Sequence, residues 1–443
     1  MTMKNFFLLI VRISGIKNIE KEIEIPFYKK TIKNDFDPEK YRIKGIYGEN
    51  GSGKTAVMTA VRIMTRVILD RNYLSDSVNQ QLLVENINKK TRKSTLETEF
   101  YAQMDIGPFI YRYRIEFEIR KDERVYITKE ALERKIGHNS QNSYRPVYKV
   151  KDGNLLQYSK DETYEYCRKK TQNLLEQRSF ATFVNEIRES GYGDASLNWY
   201  HLFTLACFAA SIIVVTDLED DHRNDAYRKI RQNKETDILR EGEDLTVFSR
   251  ASTAGLDKKE VMVPRSQLRY YMDSVNRLQS FIQIFKTDLE HIKVDVKEYG
   301  EYYICRRIMV YDGYELDEEY ESRGIRKLMD LYEALDAASR GDIVFIDELD
   351  SNINDIYLDK LIEYLMYYGK GQLCFTAHNL SPMSVLRDGK CAISFLSGIN
   401  TVHTWMSNGN QTPEHAYRDG FIEDSPFNVD ASDFLGILGG TDE

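Results

Sequence analysis

Hydrophobic and polar positions divide the chain into three stretches of different character. Up to about residue 150, apolar and aromatic residues cluster in short runs, several with period-two alternation, at 6–13, 19–26, 43–47, 96–102, 109–119 and 124–128. That period predicts strands with one buried face. One interruption at 55–64 has helical spacing instead, and the segment carrying Glu130 and Glu133 reads as a helix with both carboxylates on its surface. From about 155 the period changes to that of helices at 162–177, 179–189, 199–215 and 265–291. The longest apolar run, 202–215, falls short of the roughly 18–20 residues that cross a bilayer, so it predicts a buried helix and no membrane partner. A polar, charge-dense stretch at 217–264 predicts a solvated helix or linker. Strands return at 293–298 and 302–311 as a hairpin around Gly300. A helix at 326–339 precedes a wholly apolar strand at 343–346, and a further short apolar strand begins at Gln372. The pattern predicts an α/β fold.

Composition narrows the class. With 443 residues, 42% hydrophobic and 30% charged, the chain has room for two or three domain-sized units around a large core. Its net charge of −9 argues against a surface coated for nucleic acid, and the run Lys89-Lys-Thr-Arg-Lys93 reads as a solvated basic loop. The five cysteines are scattered without a C-x-x-C pair, which suits a reducing cytoplasm and disfavours zinc. Carboxylates and one histidine crowd 217–225; a charged helix end explains them more simply than a metal site. The thirty tyrosines are dispersed and suggest packing more than base stacking.

The chemistry is concentrated in three places. Gly48, Glu49, Asn50, Gly51, Ser52, Gly53, Lys54 and Thr55 form a complete G-x-x-x-x-G-K-[ST] phosphate loop between a predicted strand and a predicted helix. Its glycines let backbone N–H groups turn toward phosphates, and the helix start attracts anions. Lys54 is placed to bridge β- and γ-phosphates of ATP, and the Thr55 hydroxyl to ligate Mg²⁺. The second place is Ile343-Val-Phe-Ile-Asp-Glu348, an apolar strand ending in two carboxylates. Asp347 would hold the Mg²⁺ and Glu348 would polarise the attacking water. The third is Thr376-Ala-His-Asn379 at another strand end, where His378 either meets the γ-phosphate or serves as a structural hydrogen-bonder. Lys54 and Asp347 stand 293 residues apart, so the sequence implies one nucleotide site split by an insertion.

Together, Gly48–Thr55, Ile346-Asp-Glu-Leu-Asp350, Thr376–Asn379 and the opening Arg12-Ile-Ser-Gly-Ile-Lys-Asn-Ile19 resemble the ABC-type ATPase heads of the RecF, SMC and OLD group. The resemblance covers about 1–150 and 293–400. It implies a split α/β ABC-type head, a mixed sheet with flanking helices, with residues 1–154 and 293–443 as its halves and 155–292 as an inserted helical domain. It also implies a signature segment, found here as Glu321-Ser-Arg-Gly-Ile-Arg326. By similarity Ser322 and Gly324 would bind the γ-phosphate of ATP held by a second subunit, which requires a homo-oligomer; a plain helix cap is the alternative. Relatives often show Glu-Ser-Asp-Gly-Thr there, and Leu-His-Pro where this chain has Ile353-Asn-Asp355.

Heads with so short an insert are similar to the ATPases of bacterial phage defence, such as the AriA subunit of PARIS and the AbiL ATPase. That likeness implies an oligomeric sensor or scaffold, triggered by a phage protein or nucleic acid, that controls a separately encoded effector nuclease. The sixty-five residues after His378 leave no room for the Toprim nuclease of OLD proteins, so the effector is expected on another chain. The alternative is a RecF-like DNA-repair ATPase that binds DNA directly; a non-hydrolysing ATP-binding scaffold is a third class.

Overall fold

The computed structural model describes residues 5–28, 37–137, 143–159, 162–191, 197–216, 260–407, 411–423 and 425. Strands β1 (Asn5–Ser14), β2 (Ile23–Pro26) and β3 (Ile43–Tyr47) lead into helices α1 (Lys54–Leu69) and α2 (Ser77–Asn86). Strands β4 (Lys93–Met104), β5 (Gly107–Ile119), β6 (Val125–Ile136), β7 (Arg145–Lys151) and β8 (Asn154–Gln157) follow. Next come α3 (Glu162–Lys170), α4 (Val184–Glu189), α5 (Leu197–Ala210) and β9 (Ile212–Val215). After β10 (Val261–Pro264), α6 (Leu268–Gln283), β11 (His291–Tyr299), β12 (Tyr302–Tyr311) and β13 (Tyr314–Asp317), the chain enters α7 (Arg323–Arg340). It ends with β14 (Ile343–Ile346), α8 (Asp355–Tyr368), β15 (Gln372–Thr376), α9 (Pro382–Leu386), β16 (Ile393–Leu396), β17 (Val402–Thr404) and α10 (Pro413–Arg418).

Two sheets build the α/β body. The first is antiparallel, in the order β2-β1-β4-β5-β6-β7-β8. Its strands alternate as the pattern predicts: Tyr111, Tyr113, Ile115 and Phe117 of β5 are buried while the residues between them are partly exposed. The second runs β17-β16-β3-β15-β14-β9, with β16, β3, β15, β14 and β9 parallel and β17 antiparallel at the edge. Its strands β3, β14 and β15 are buried on both faces, which explains the unbroken apolar run Ile343–Ile346 of β14. Strands from both ends of the chain thus lie side by side in one sheet, as a split head requires.

Helix α1 lies between the two sheets and is buried nearly all round, from Lys54 to Ile68. Gln372 joins the sheets where β1 bulges between Leu8 and Ile10. Its amide oxygen accepts from Leu8 N–H at 2.6 Å, and its amide nitrogen donates to the carbonyls of Leu8 (3.1 Å) and Tyr41 (3.0 Å).

Three expectations are corrected. The run 202–215 is not one helix: α5 stops at Ala210, Ser211 caps it, and β9 becomes an edge strand of the parallel sheet. The β-branched Ile-Ile-Val-Val sequence decides this locally, and pairing with β14 rewards it. Described parts of 155–292 are therefore not a purely helical body, since α5 packs on α1 and β10 and β11 belong to a small sheet with β12 and β13. Glu130 and Glu133 lie on β6, not on a helix; Glu133 pairs with Arg112 and Lys149, whereas Glu130 is 1% exposed. The acidic cluster 217–225 and the charged run 228–235 lie outside the described residues. The basic run at 89–93 does lie at the surface, and its cations pair with Glu85, Glu20, Glu123 and Glu118. No helix among the described residues is long and apolar enough to cross a membrane.

Candidate nucleotide site

The phosphate loop leaves the C-terminal end of β3 and winds into α1. Gly51 and Gly53 have φ of +84° and +106°, the left-handed region that glycine enters without a Cβ penalty. Gly48 is required for a different reason. A Cβ there would overlap the carbonyl oxygen of Leu396 and come within 2.7 Å of Ser52 Oγ. Lys54 opens the helix, is 7% exposed, and donates to the carbonyls of Gly48 (2.7 Å) and Glu49 (3.1 Å). Burial lowers its ammonium below the ordinary lysine value, while the carboxylates of Asp347, Glu348, Asp350 and Glu49 work against that shift. Asp347, Glu348 and Asp350 follow β14, which is one strand removed from β3 in the same parallel sheet.

Asp347 and Glu348 follow β14 at the same end of the sheet. Asp347 is buried, and its Oδ1 accepts from Thr376 Oγ1 at 2.6 Å. Glu348 turns the chain with φ of +50°, and its N–H donates to the same hydroxyl at 2.8 Å. Asp350 reaches across to β15, where its Oδ2 accepts the N–H groups of His378 (2.9 Å) and Asn379 (2.7 Å). The His378 side chain is exposed at that strand end. Lys54, Thr55, Asp347, Glu348 and His378 thus all stand at the C-terminal edge of adjacent parallel strands, where open α/β sheets bind ligands.

Ser322 caps α7, its hydroxyl accepting from Ile325 N–H at 3.3 Å. Gly324 presses against the loop after β14: a Cβ there would sit 2.6 Å from the Asn352 carbonyl oxygen. Within one chain, then, the Ser322 turn braces the carboxylate loop and serves as a helix cap.

Further groups complete the site. The turn after β1 folds over the phosphate loop, with Asn18 Nδ2 donating to the Gly51 carbonyl and Ile19 meeting Gly53. Burial lowers the Lys17 ammonium in that turn, while Asp347 opposes the shift and Arg62 of α1 adds to it. The motifs Arg12–Ile19 and Thr376–Asn379 are visible in the sequence, but roles for Asn18 and the Thr376 hydroxyl are not. The alternation of Lys17-Asn18 with a tight Gly15 turn was the available signal.

The donor set fits a magnesium nucleotide. Ser52 Oγ is buried in the loop without a hydrogen-bond partner among the described residues. The loop glycines keep Cβ atoms off its inner surface, and a hydroxyl (Thr55) and a carboxylate (Asp347) are hard oxygen donors of the kind Mg²⁺ takes.

No protein-family model matches the chain, and no curated protein matches it. Among solved structures, the recombination mediator protein RecF-ATPrS of the RecFOR pathway aligns at 13% identity over 91% of this chain and 100% of that one, with a TM-score of 0.38. RecF-ATP of the same pathway aligns at 14% identity over 90% and 99%, also with a TM-score of 0.38.

Proposed function

We propose that the chain binds and hydrolyses ATP as an ABC-type ATPase. One observation carries the reading: a phosphate-loop lysine and a pair of carboxylates, 293 residues apart in sequence, meet at one end of a parallel sheet. Lys54 and the loop N–H groups would bind the phosphates, and Thr55 with Asp347 would hold Mg²⁺, whose charge offsets that developing on the γ-phosphoryl oxygens. Glu348 would orient and deprotonate the attacking water, and His378 would lie near the γ-phosphate. Transfer to water depends mainly on positioning and electrostatics, so these groups suffice for slow turnover.

On the motif resemblance, Ser322 and Gly324 close the site of a second copy, so ATP would favour a homo-oligomer. The shortness of the insert, as in phage-defence ATPases, is what favours a sensor whose ATP state would release or activate a separate nuclease. Phosphate release and sizing of the purified protein test the reading. Glu348→Gln should keep ATP, lose at least about 100-fold in turnover, as removal of a general base does, and accumulate a larger species with ATP. Wild-type hydrolysis by Glu348→Gln would sink the assignment. Salt-sensitive DNA binding by the protein alone would move the wider role to DNA repair.

A further inference from the structure

We infer that Thr376 is a positioning residue that sets both carboxylates of the site, an inference that rests on the ATPase reading above. Thr376 ends β15 and is fully buried. Its hydroxyl accepts the N–H of Glu348 at 2.8 Å and donates to Asp347 Oδ1 at 2.6 Å. Its carbonyl accepts the N–H of Leu349 at 3.0 Å. One residue on the neighbouring strand therefore engages three consecutive residues of the carboxylate turn.

The direction of this network is determined by counting protons. A hydroxyl has one, so an oxygen that accepts from the Glu348 N–H still has that single proton to give, and Asp347 Oδ1 receives it. The turn needs such a hold because Glu348 occupies the left-handed region, a conformation that is strained for a non-glycine residue and persists only when its surroundings enforce it. The clasp is reciprocal. Asp350, two residues beyond Glu348, accepts the N–H groups of His378 and Asn379, which directly follow the Thr376-Ala377 step. Asp347, Glu348 and the backbone of His378 are thereby tied into one hydrogen-bond network, the outer support that orients a metal-binding carboxylate and the residue next to it.

Thr376→Val keeps the shape and removes the hydroxyl, while Thr376→Ser keeps the hydroxyl. Three quantities are read on the full chain: ATP affinity in EDTA by calorimetry, Mn²⁺ affinity of the ATP complex by electron paramagnetic resonance, and kcat with KM from phosphate release. Thr376→Val should bind ATP in EDTA like wild type, yet lose about 10–100-fold in Mn²⁺ affinity and in kcat with little change in KM. Thr376→Ser should stay within about threefold of wild type, as a retained hydrogen bond predicts. If Thr376→Val does not fold, Thr376→Ala carries the same test. Wild-type Mn²⁺ affinity and kcat in the hydroxyl-free variant overturn the inference, as does a serine variant equally impaired, which would assign the effect to the methyl group. A wild-type chain that binds no ATP overturns the ATPase reading itself; normal wild-type binding with an unaffected Thr376→Val overturns this inference alone.

Discussion

Replacing Glu130 by alanine separates two descriptions of the same residue. As a surface charge, its loss would change stability by no more than about 0.5 kcal/mol. In the fold it is buried on β6, and four donors converge on it: Tyr113 Oη (3.1 Å), Tyr148 Oη (2.7 Å), Ser179 Oγ (2.6 Å) and the Phe180 N–H (2.9 Å). These contacts fasten the antiparallel sheet to the segment that leads into α4. The Phe180 N–H is fixed by the backbone, so leaving it unpaired costs about 1–3 kcal/mol. The three hydroxyls can rotate and recover part of their loss, while the missing side chain adds a cavity of the kind that makes large-to-small core changes cost about 2–5 kcal/mol. Allowing for relief of a buried charge, Glu130→Ala should destabilise by about 3–5 kcal/mol, with Glu130→Gln between it and wild type. Urea unfolding followed by tyrosine fluorescence measures this as a lower midpoint at unchanged slope. A midpoint within about 0.5 kcal/mol of wild type would refute the reasoning.

The same residue sets a pH dependence. Burial raises the Glu130 carboxyl above the ordinary range, and the four donors oppose that shift. A raised value means that the folded chain keeps a proton which the unfolded chain, titrating near ~4.3, has released. The Glu130 contribution is therefore most favourable at low pH and declines as pH rises from the unfolded value through the folded one. The deficit of Glu130→Ala should be largest at the acid end of that window and shrink above it, which chemical denaturation at several pH values would show. Lys54→Ala removes a cation from the phosphates; at about 1.5–3 kcal/mol per charged hydrogen bond, ATP affinity by calorimetry should fall about 100-fold or more while the fold survives. Gly48→Ala forces a methyl onto the Leu396 carbonyl and the Ser52 side chain, so it should lose about 1–3 kcal/mol in stability together with ATP binding, both measurable by melting with and without nucleotide.

Much of the site was legible in the sequence because its chemistry is local. A glycine-rich turn between strand and helix, and an apolar run ending in two carboxylates, each need only neighbouring residues, so Lys54, Thr55, Asp347 and Glu348 could be named as candidates from the chain alone. Strands with alternation, such as β5, and strands buried on both faces, such as β14, were legible for the same reason: period and burial are written side by side.

What tertiary structure decided is non-local. The sequence could not show that Ile212–Val215 leaves the helical period to pair with β14, because a short apolar run fits a buried helix or a buried strand equally well and only the partner chooses. Nor could it show that a glutamate in a charge-rich segment turns inward, since the donors that make its burial tolerable come from Tyr113, Tyr148 and 179–180. Thr376 opens the His378 motif in the sequence, but only folding sets its hydroxyl between Asp347 and Glu348. The sequence by itself determined which groups are candidates to bind phosphate and metal. Their spacing, support and burial came from sheet pairing between segments hundreds of residues apart, where hydrogen-bond geometry is set by the fold and not by neighbours along the chain.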